Sequence, residues 1–116
     1  MPVLIKRIYE VPCSEDGYRV LVDRLWPRDV KKEDAQIDEW LKDVAPSQTL
    51  RKWFGHQPEK WELFYKRYAA ELYASAAFAQ LKNLTNNHKT LTLLYSATDQ
   101  QHNQAVVLQK LFQRPD

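Results

Sequence analysis

Glycine is nearly missing from these 116 residues, with Gly17 and Gly55 the only two. Neither a GxGxxG dinucleotide turn nor a GxxxxGKS/T phosphate loop can be written with them, so Rossmann-type and P-loop chemistry are excluded. A single cysteine, Cys13, rules out an internal disulfide and any zinc site built on paired cysteines, and it fits a reducing compartment. The three histidines, His56, His88 and His102, are too scattered for HExxH, so neither a built-in metal nor a cofactor is expected. The opening MPVLIKRIYE lacks the apolar stretch of a signal peptide, and no run approaches membrane-spanning length. The expected place is therefore the cytoplasm, with no membrane partner. Charge of one sign is lacking too: 17 Lys and Arg face 15 Asp and Glu, and neither half is a basic or acidic module.

No repeat, low-complexity tract or Gly/Ser linker divides the chain, so residues 1–116 are expected to form a single α/β domain. Val3 to Tyr9 reads as a strand that stops before the turn cluster Pro12, Ser14, Asp16 and Gly17. Tyr18 to Leu25 and Thr90 to Ala97 are too evenly apolar for a strand with one wet face, so both are expected to be central and covered on both sides by helices. Helical spacing predicts those helices over Lys32 to Val44, from Pro58 through Tyr73, over Ala76 to Asn86, and from Gln100 to Phe112. The pattern is a small, mostly parallel sheet of three or four strands flanked by helices. Only eight residues, Glu10 to Gly17, join the first two strands, whereas a parallel crossover normally takes a dozen or more, so an antiparallel first pair stays open.

Ligands of open α/β sheets bind beyond the carboxyl ends of the strands. The second strand runs out into Asp23, Arg24, Leu25, Trp26, Pro27 and Arg28; the third runs into Ser96, Ala97, Thr98 and Asp99, followed by His102 and Asn103 in the first turn of the last helix. If these strands are parallel neighbours, the two sets meet. Arg24 and Arg28 then clamp an anion beside a helix N-terminus, Asp23 orients them, His102 carries a proton, and Asn103 and Asp99 complete the site. Each residue also has a structural reading: Thr98 with Gln101 as a capping box, Asp99 as an N-cap, His102 as a surface residue, and Asp23 with an arginine as an ion pair holding the loop. In LRKWFGH, Trp53 and Phe54 read as anchors of a loop, Gly55 as a left-handed turn, and His56 as the second choice for a proton carrier. Trp26 and Trp53, read as loop residues among Arg24, Arg28, Lys31, Lys32, Arg51 and Lys52, also suit a nucleic-acid reading, although sequence-independent affinity would be low at a net charge of +2. Cys13, beside Glu15 and Asp16, has the wrong surroundings for a nucleophile.

The strings RVLVDRLWPRD, DEWLKDVAPS, LRKWFGH and LTLLYSATDQQHNQAVVL resemble the YeaO-like family of small bacterial proteins of unknown function, over nearly the whole chain. The resemblance implies a small α/β domain and a parallel arrangement. It also implies a set of characteristic polar positions that includes Asp23, Arg24, Trp26, Arg28, Trp53, His56, Asp99, His102 and Asn103, the set selected at the strand ends. The family pattern continues WPRG where this chain has Asp29, a residue that tolerates a left-handed backbone but sets a carboxylate beside Arg28. The favoured expectation is a small enzyme or ligand-binding domain for an anionic small molecule or nucleotide-like group, with His102, Asp23 and His56 as catalytic candidates and Arg24, Arg28, Trp26, Trp53, Asp99 and Asn103 as ligand contacts. The alternatives are a nucleic-acid-associated binding module and a purely structural or partner-binding protein.

Overall fold

A computed structural model describes residues 3–113. Four strands, β1 (Val3–Arg7), β2 (Tyr18–Leu21), β3 (Glu39–Trp40) and β4 (Leu91–Tyr95), form one parallel sheet in the order β1-β4-β2-β3. The two evenly apolar strands are its centre, and all five residues of β4 are buried. Val20 lies opposite Leu93 and Leu21 opposite Leu94.

β1 and β2 never pair with each other, which resolves the question of their short link. Both run parallel to β4, which lies between them, and the crossover from Ile8 to Gly17 carries a single 3₁₀ turn, Ser14–Asp16, in place of a helix. Its re-entry into the sheet is tight. The Tyr18 amide donates to the Thr90 carbonyl at 3.0 Å, and a Cβ on Gly17 (φ +67°) would stand 2.2 Å from that same oxygen. Only glycine fits there.

Helices cover one face of the sheet. α2 (Gln48–Phe54), α3 (Trp61–Tyr73), α4 (Ala76–Asn87) and α5 (Gln104–Gln113) bury Leu50, Phe54, Phe64, Tyr68, Leu72 and Leu81 against Val20, Leu91 and Leu93. The Tyr68 hydroxyl, deep in this layer, donates to the Val44 carbonyl at 2.6 Å. Both faces are covered, as expected, but unequally. The other face carries a smaller cluster of Ile8, Leu21, Ala35 and Leu94, closed by the crossover, by the loop bearing Trp26 and Val30, and by the single-turn α1 (Lys32–Ala35).

The helix expected over Lys32 to Val44 is broken after one turn. Gln36 turns left-handed (φ 48°), Asp38 exchanges hydrogen bonds with the backbone of Arg19, and Leu41 donates to the Leu21 carbonyl at 2.9 Å. The outer edge of β2 would otherwise bury unpaired backbone groups, and pairing them with β3 outweighs the helical period of Ile37, Trp40, Leu41 and Val44. Conversely, the LRKWFGH stretch is not a loop: it ends α2, capped by the Ser47 hydroxyl, which accepts the Leu50 amide at 3.2 Å, and closed by Gly55 in the left-handed conformation (φ 53°). α5 begins at Gln104, four residues later than its spacing suggests.

Candidate functional site

Because β2 and β4 are parallel neighbours, the segments that follow them do meet. They enclose a cleft of about 560 Å³ at the carboxyl end of the sheet. Asp23 forms its floor, 8% exposed. One carboxylate oxygen accepts the Ser96 amide at 3.0 Å, and the other accepts the side-chain amide of Gln104 at the start of α5, so a single carboxylate ties both strand ends to the last helix. Burial raises the Asp23 pKa above its ordinary value, against the lowering effect of the Ser96 and Gln104 hydrogen bonds and the positive charge of Arg51.

Arg24 leaves the floor toward α2. One of its terminal nitrogens donates to the carbonyls of Ala45 and Pro46 at 3.2 and 3.3 Å, and the other stands 3.8 Å from Asp43, a carboxylate whose side chain is 78% exposed. Its Nε–H is shut off from water and meets no acceptor among the described residues. Three further full cations line the cleft, Arg28, Arg51 and Lys52, and none has an ion-pair partner among the described residues. Asp23 is the only carboxylate in the lining among the described residues. Arg51 and Lys52 owe their position to α2, the helix that the sequence reading took for a loop. Ser47 and Gly55, eight residues apart and of the right types to cap and close a short helix, were the available signals.

His102 and His56 also line the cleft. The Nδ1 of His102 is 2.9 Å from the Asp99 carboxylate, and its ring meets the Trp61 ring edge-on with centroids 5.2 Å apart. Asp99 does not cap a helix. It closes an Asx-type turn, with one oxygen accepting the amides of Gln101 and His102 at 2.9 and 3.0 Å, and these hydrogen bonds, the Gln101 one foremost, hold its carboxyl below the ordinary range. The cap of α5 is Asn103: its side-chain oxygen accepts the Val106 amide at 3.1 Å while its nitrogen donates to the Asp99 carbonyl at 2.8 Å. Asn103, 3% exposed, thus spends both ends of its amide on the loop. Asp99 and Asn103 shape the site, and His102 is presented by them.

Trp26 reaches the cleft but is anchored elsewhere, donating to the Val30 carbonyl at 2.8 Å and meeting Trp40 edge-on at 5.5 Å. Trp53 is not in the cleft lining. It sits on α2, with Arg67 4.5 Å and Lys60 5.0 Å from its ring centroid, where cations take the place of a stacking base. Arg28 is exposed at the rim; its carbonyl accepts the Tyr9 hydroxyl at 3.0 Å, and the following Asp29 adopts the left-handed backbone (φ 64°) that a glycine would take. Arg7, which sequence reasoning passed over, braces the opposite wall by donating to the carbonyls of Ser96 and Ala97 at 3.0 and 2.9 Å. Nothing in a strand sequence marks such a residue, because its partners lie some ninety positions away.

Among the described residues, no three His, Cys, Asp or Glu side chains gather where they could hold a metal ion, and no helix is long and apolar enough to cross a membrane. Residues 2–115 match the family described as the inactive DUF488-N3 subclade. The uncharacterized protein YeaO of Escherichia coli (strain K12) is 42% identical over 108 residues, covering 93% of this chain and 94% of its own. The uncharacterized protein Rv3073c of Mycobacterium tuberculosis is 51% identical over 83 residues, covering 72% of this chain and 70% of its own. No solved structure matches the chain. The chain therefore belongs to the inactive DUF488-N3 subclade, the family of YeaO-like bacterial proteins to which its sequence motifs point.

Proposed function

We propose that this protein is a binding domain for a small anion, held in the cleft at the carboxyl end of the sheet without turnover. The observation that carries this reading is the charge of the cleft: Arg24, Arg28, Arg51 and Lys52 line it, and among the described residues its lining holds one carboxylate, Asp23, whose oxygens are both engaged. An oxyanion entering the cleft supplies the negative charge and the acceptors that these cations lack. Binding without chemistry accords with the family's description as inactive and with the geometry. Asp23 has both oxygens engaged.

A thermal-shift series with phosphate, pyrophosphate, sulfate and citrate on the parent protein and on Arg24→Ala tests it. The parent is expected to melt higher with at least one of the anions, and Arg24→Ala to show no such rise. An equal rise in both proteins, or none in the parent at millimolar anion and low salt, overturns the proposal.

A further inference from the structure

The cations occupy only part of the cleft. A tetrahedral oxyanion has five non-hydrogen atoms and displaces the volume of two or three waters, at about 30 Å³ each. Most of the roughly 560 Å³ would stay unfilled around it. The accessible apolar part of the remaining wall is aromatic and aliphatic: the exposed Tyr9 and Leu25 and the half-buried Trp26, while Phe54 and Phe64, stacked on each other, are almost wholly buried. Polar groups interrupt that wall: Ser96, Gln48 and the Asp23–Gln104 pair. A flat heterocycle with hydrogen-bonding edges suits a wall that is both aromatic and polar.

The charge count points the same way. Among the described residues four full cations line the cleft, while its one lining carboxylate, Asp23, is already engaged with Ser96 and Gln104. Asp43 stands behind Arg24, and Asp29, next to Arg28 in the chain, forms no ion pair with it. A singly charged ligand would leave cations facing one another, and a doubly charged group matches the surplus.

We infer that the ligand is a phosphate monoester of a nucleoside-like heteroaromatic group, with its phosphate on Arg24, Arg28, Arg51 and Lys52 and its ring against the Trp26 and Leu25 side of the cleft. This rests on the anion-binding reading above and narrows it to an ester with a flat body. Leu25, 67% exposed at the cleft mouth beside Trp26, belongs to the ring side, and Arg51 to the phosphate side.

Isothermal titration of the parent protein with adenosine 5′-monophosphate, ribose 5-phosphate, inorganic phosphate and adenosine, at low and at physiological salt, separates the contributions. The nucleotide is expected to bind at least tenfold more tightly than inorganic phosphate or the sugar phosphate, with adenosine weakest. Arg51→Ala lowers affinity for all three phosphates by a similar factor. Leu25→Ala and Trp26→Leu lower it for the nucleotide alone, and the exposed position of Leu25 keeps this arm usable if the Trp26 variant fails to fold. Should inorganic phosphate bind as tightly as the nucleotide, the ester inference falls while the anion site stands. Should no phosphate bind at low salt, both fall.

Discussion

Two carboxylates lie buried among arginines and lysines in this molecule, and they are built to opposite ends. On the face of the sheet away from the helices, Asp16 accepts Lys6 through both oxygens at 3.2 and 3.1 Å, the Arg19 guanidinium at 2.5 Å and the Cys13 amide at 3.0 Å. Arg19 gives its remaining donors to the carbonyls of Ala35 and Gln36 at 2.8 and 3.1 Å, and Lys6 also reaches the Val11 carbonyl at 2.7 Å. Every charge in that cluster is spent on the protein. At the cleft, Asp23 is spent on Ser96 and Gln104, while Arg24 keeps an unanswered donor and Arg28, Arg51 and Lys52 have no ion-pair partners among the described residues.

The same contrast appears in acid. Desolvation is the largest influence on Asp16 and would raise its pKa, but the Cys13, Lys6 and Arg19 contacts together overcome it and the pKa ends below the ordinary 3.8. The stability that Asp16 contributes is thus present above pH 3.8 and lost as the pH falls through its lower folded value. For Asp23 desolvation prevails and the folded pKa lies above 3.8. The folded state then holds its proton longer than the unfolded chain, so stability is lost as the pH rises from 3.8 through the folded value and stays lost above it.

The comparison can be broken at four points. Asp16→Ala removes the acid from the closed cluster and strands the buried Arg19 and the half-buried Lys6; a loss of about 3–5 kcal/mol in urea unfolding is expected, with no change in anion binding if the variant remains folded. Arg24→Ala gives up two carbonyl contacts of a partly exposed side chain, with an expected loss of about 1–2 kcal/mol, but abolishes the anion-dependent rise in melting temperature. If Asp16→Ala instead weakened binding as Arg24→Ala does, the division into a closed and an open cluster would be wrong. Asp23→Asn is expected to flatten the decline of folding free energy just above pH 3.8, measured by denaturation from pH 3.5 to 6, while leaving the loss below 3.8 that Asp16 causes. Smallest is Asp29→Gly, which relieves a left-handed φ of 64° and takes a carboxylate away from Arg28. Stability should rise by up to about 1 kcal/mol and anion affinity by less than tenfold, read by chemical denaturation and titration.

Strand identity was legible because β2 and β4 are buried on both faces and therefore carry runs such as Val20-Leu21-Val22 and Leu91 to Tyr95, which no half-wet strand would tolerate. The long helices α3 and α4 were legible for a related reason: Pro58 opens the 3₁₀ turn Pro58–Lys60 that leads into α3, and Ser75 caps α4 by accepting the Phe78 amide at 3.2 Å. Short elements were not. Between Lys32 and Val44 the apolar residues recur at helical spacing by coincidence, since Ile37 packs on one face of the sheet and Leu41 and Val44 on the other. The α5 boundary went astray because Thr98, Asp99 and Asn103 are all capping residues, and only the contact between the Asn103 amide and Val106 distinguishes the one that caps.

The sequence by itself determined what chemistry the chain could not contain. With two glycines and one cysteine, no phosphate loop, dinucleotide turn or paired-cysteine site can be assembled, because those structures need backbone freedom or thiolates that no other residue supplies. It also placed Asp23, Arg24, Arg28 and His102 at strand ends, where local patterning suffices. Tertiary structure alone decided how these charges are used. Arg19 and Arg24 are both arginines near the ends of β2, and nothing local separates them. Arg19 points to the face where Asp16 and the Ala35 and Gln36 carbonyls consume its donors, and Arg24 to the cleft, where α2 and the loop before α5 leave donors over. A donor is free or spent according to which distant acceptors the fold brings within about 3 Å, and that is a property of packing.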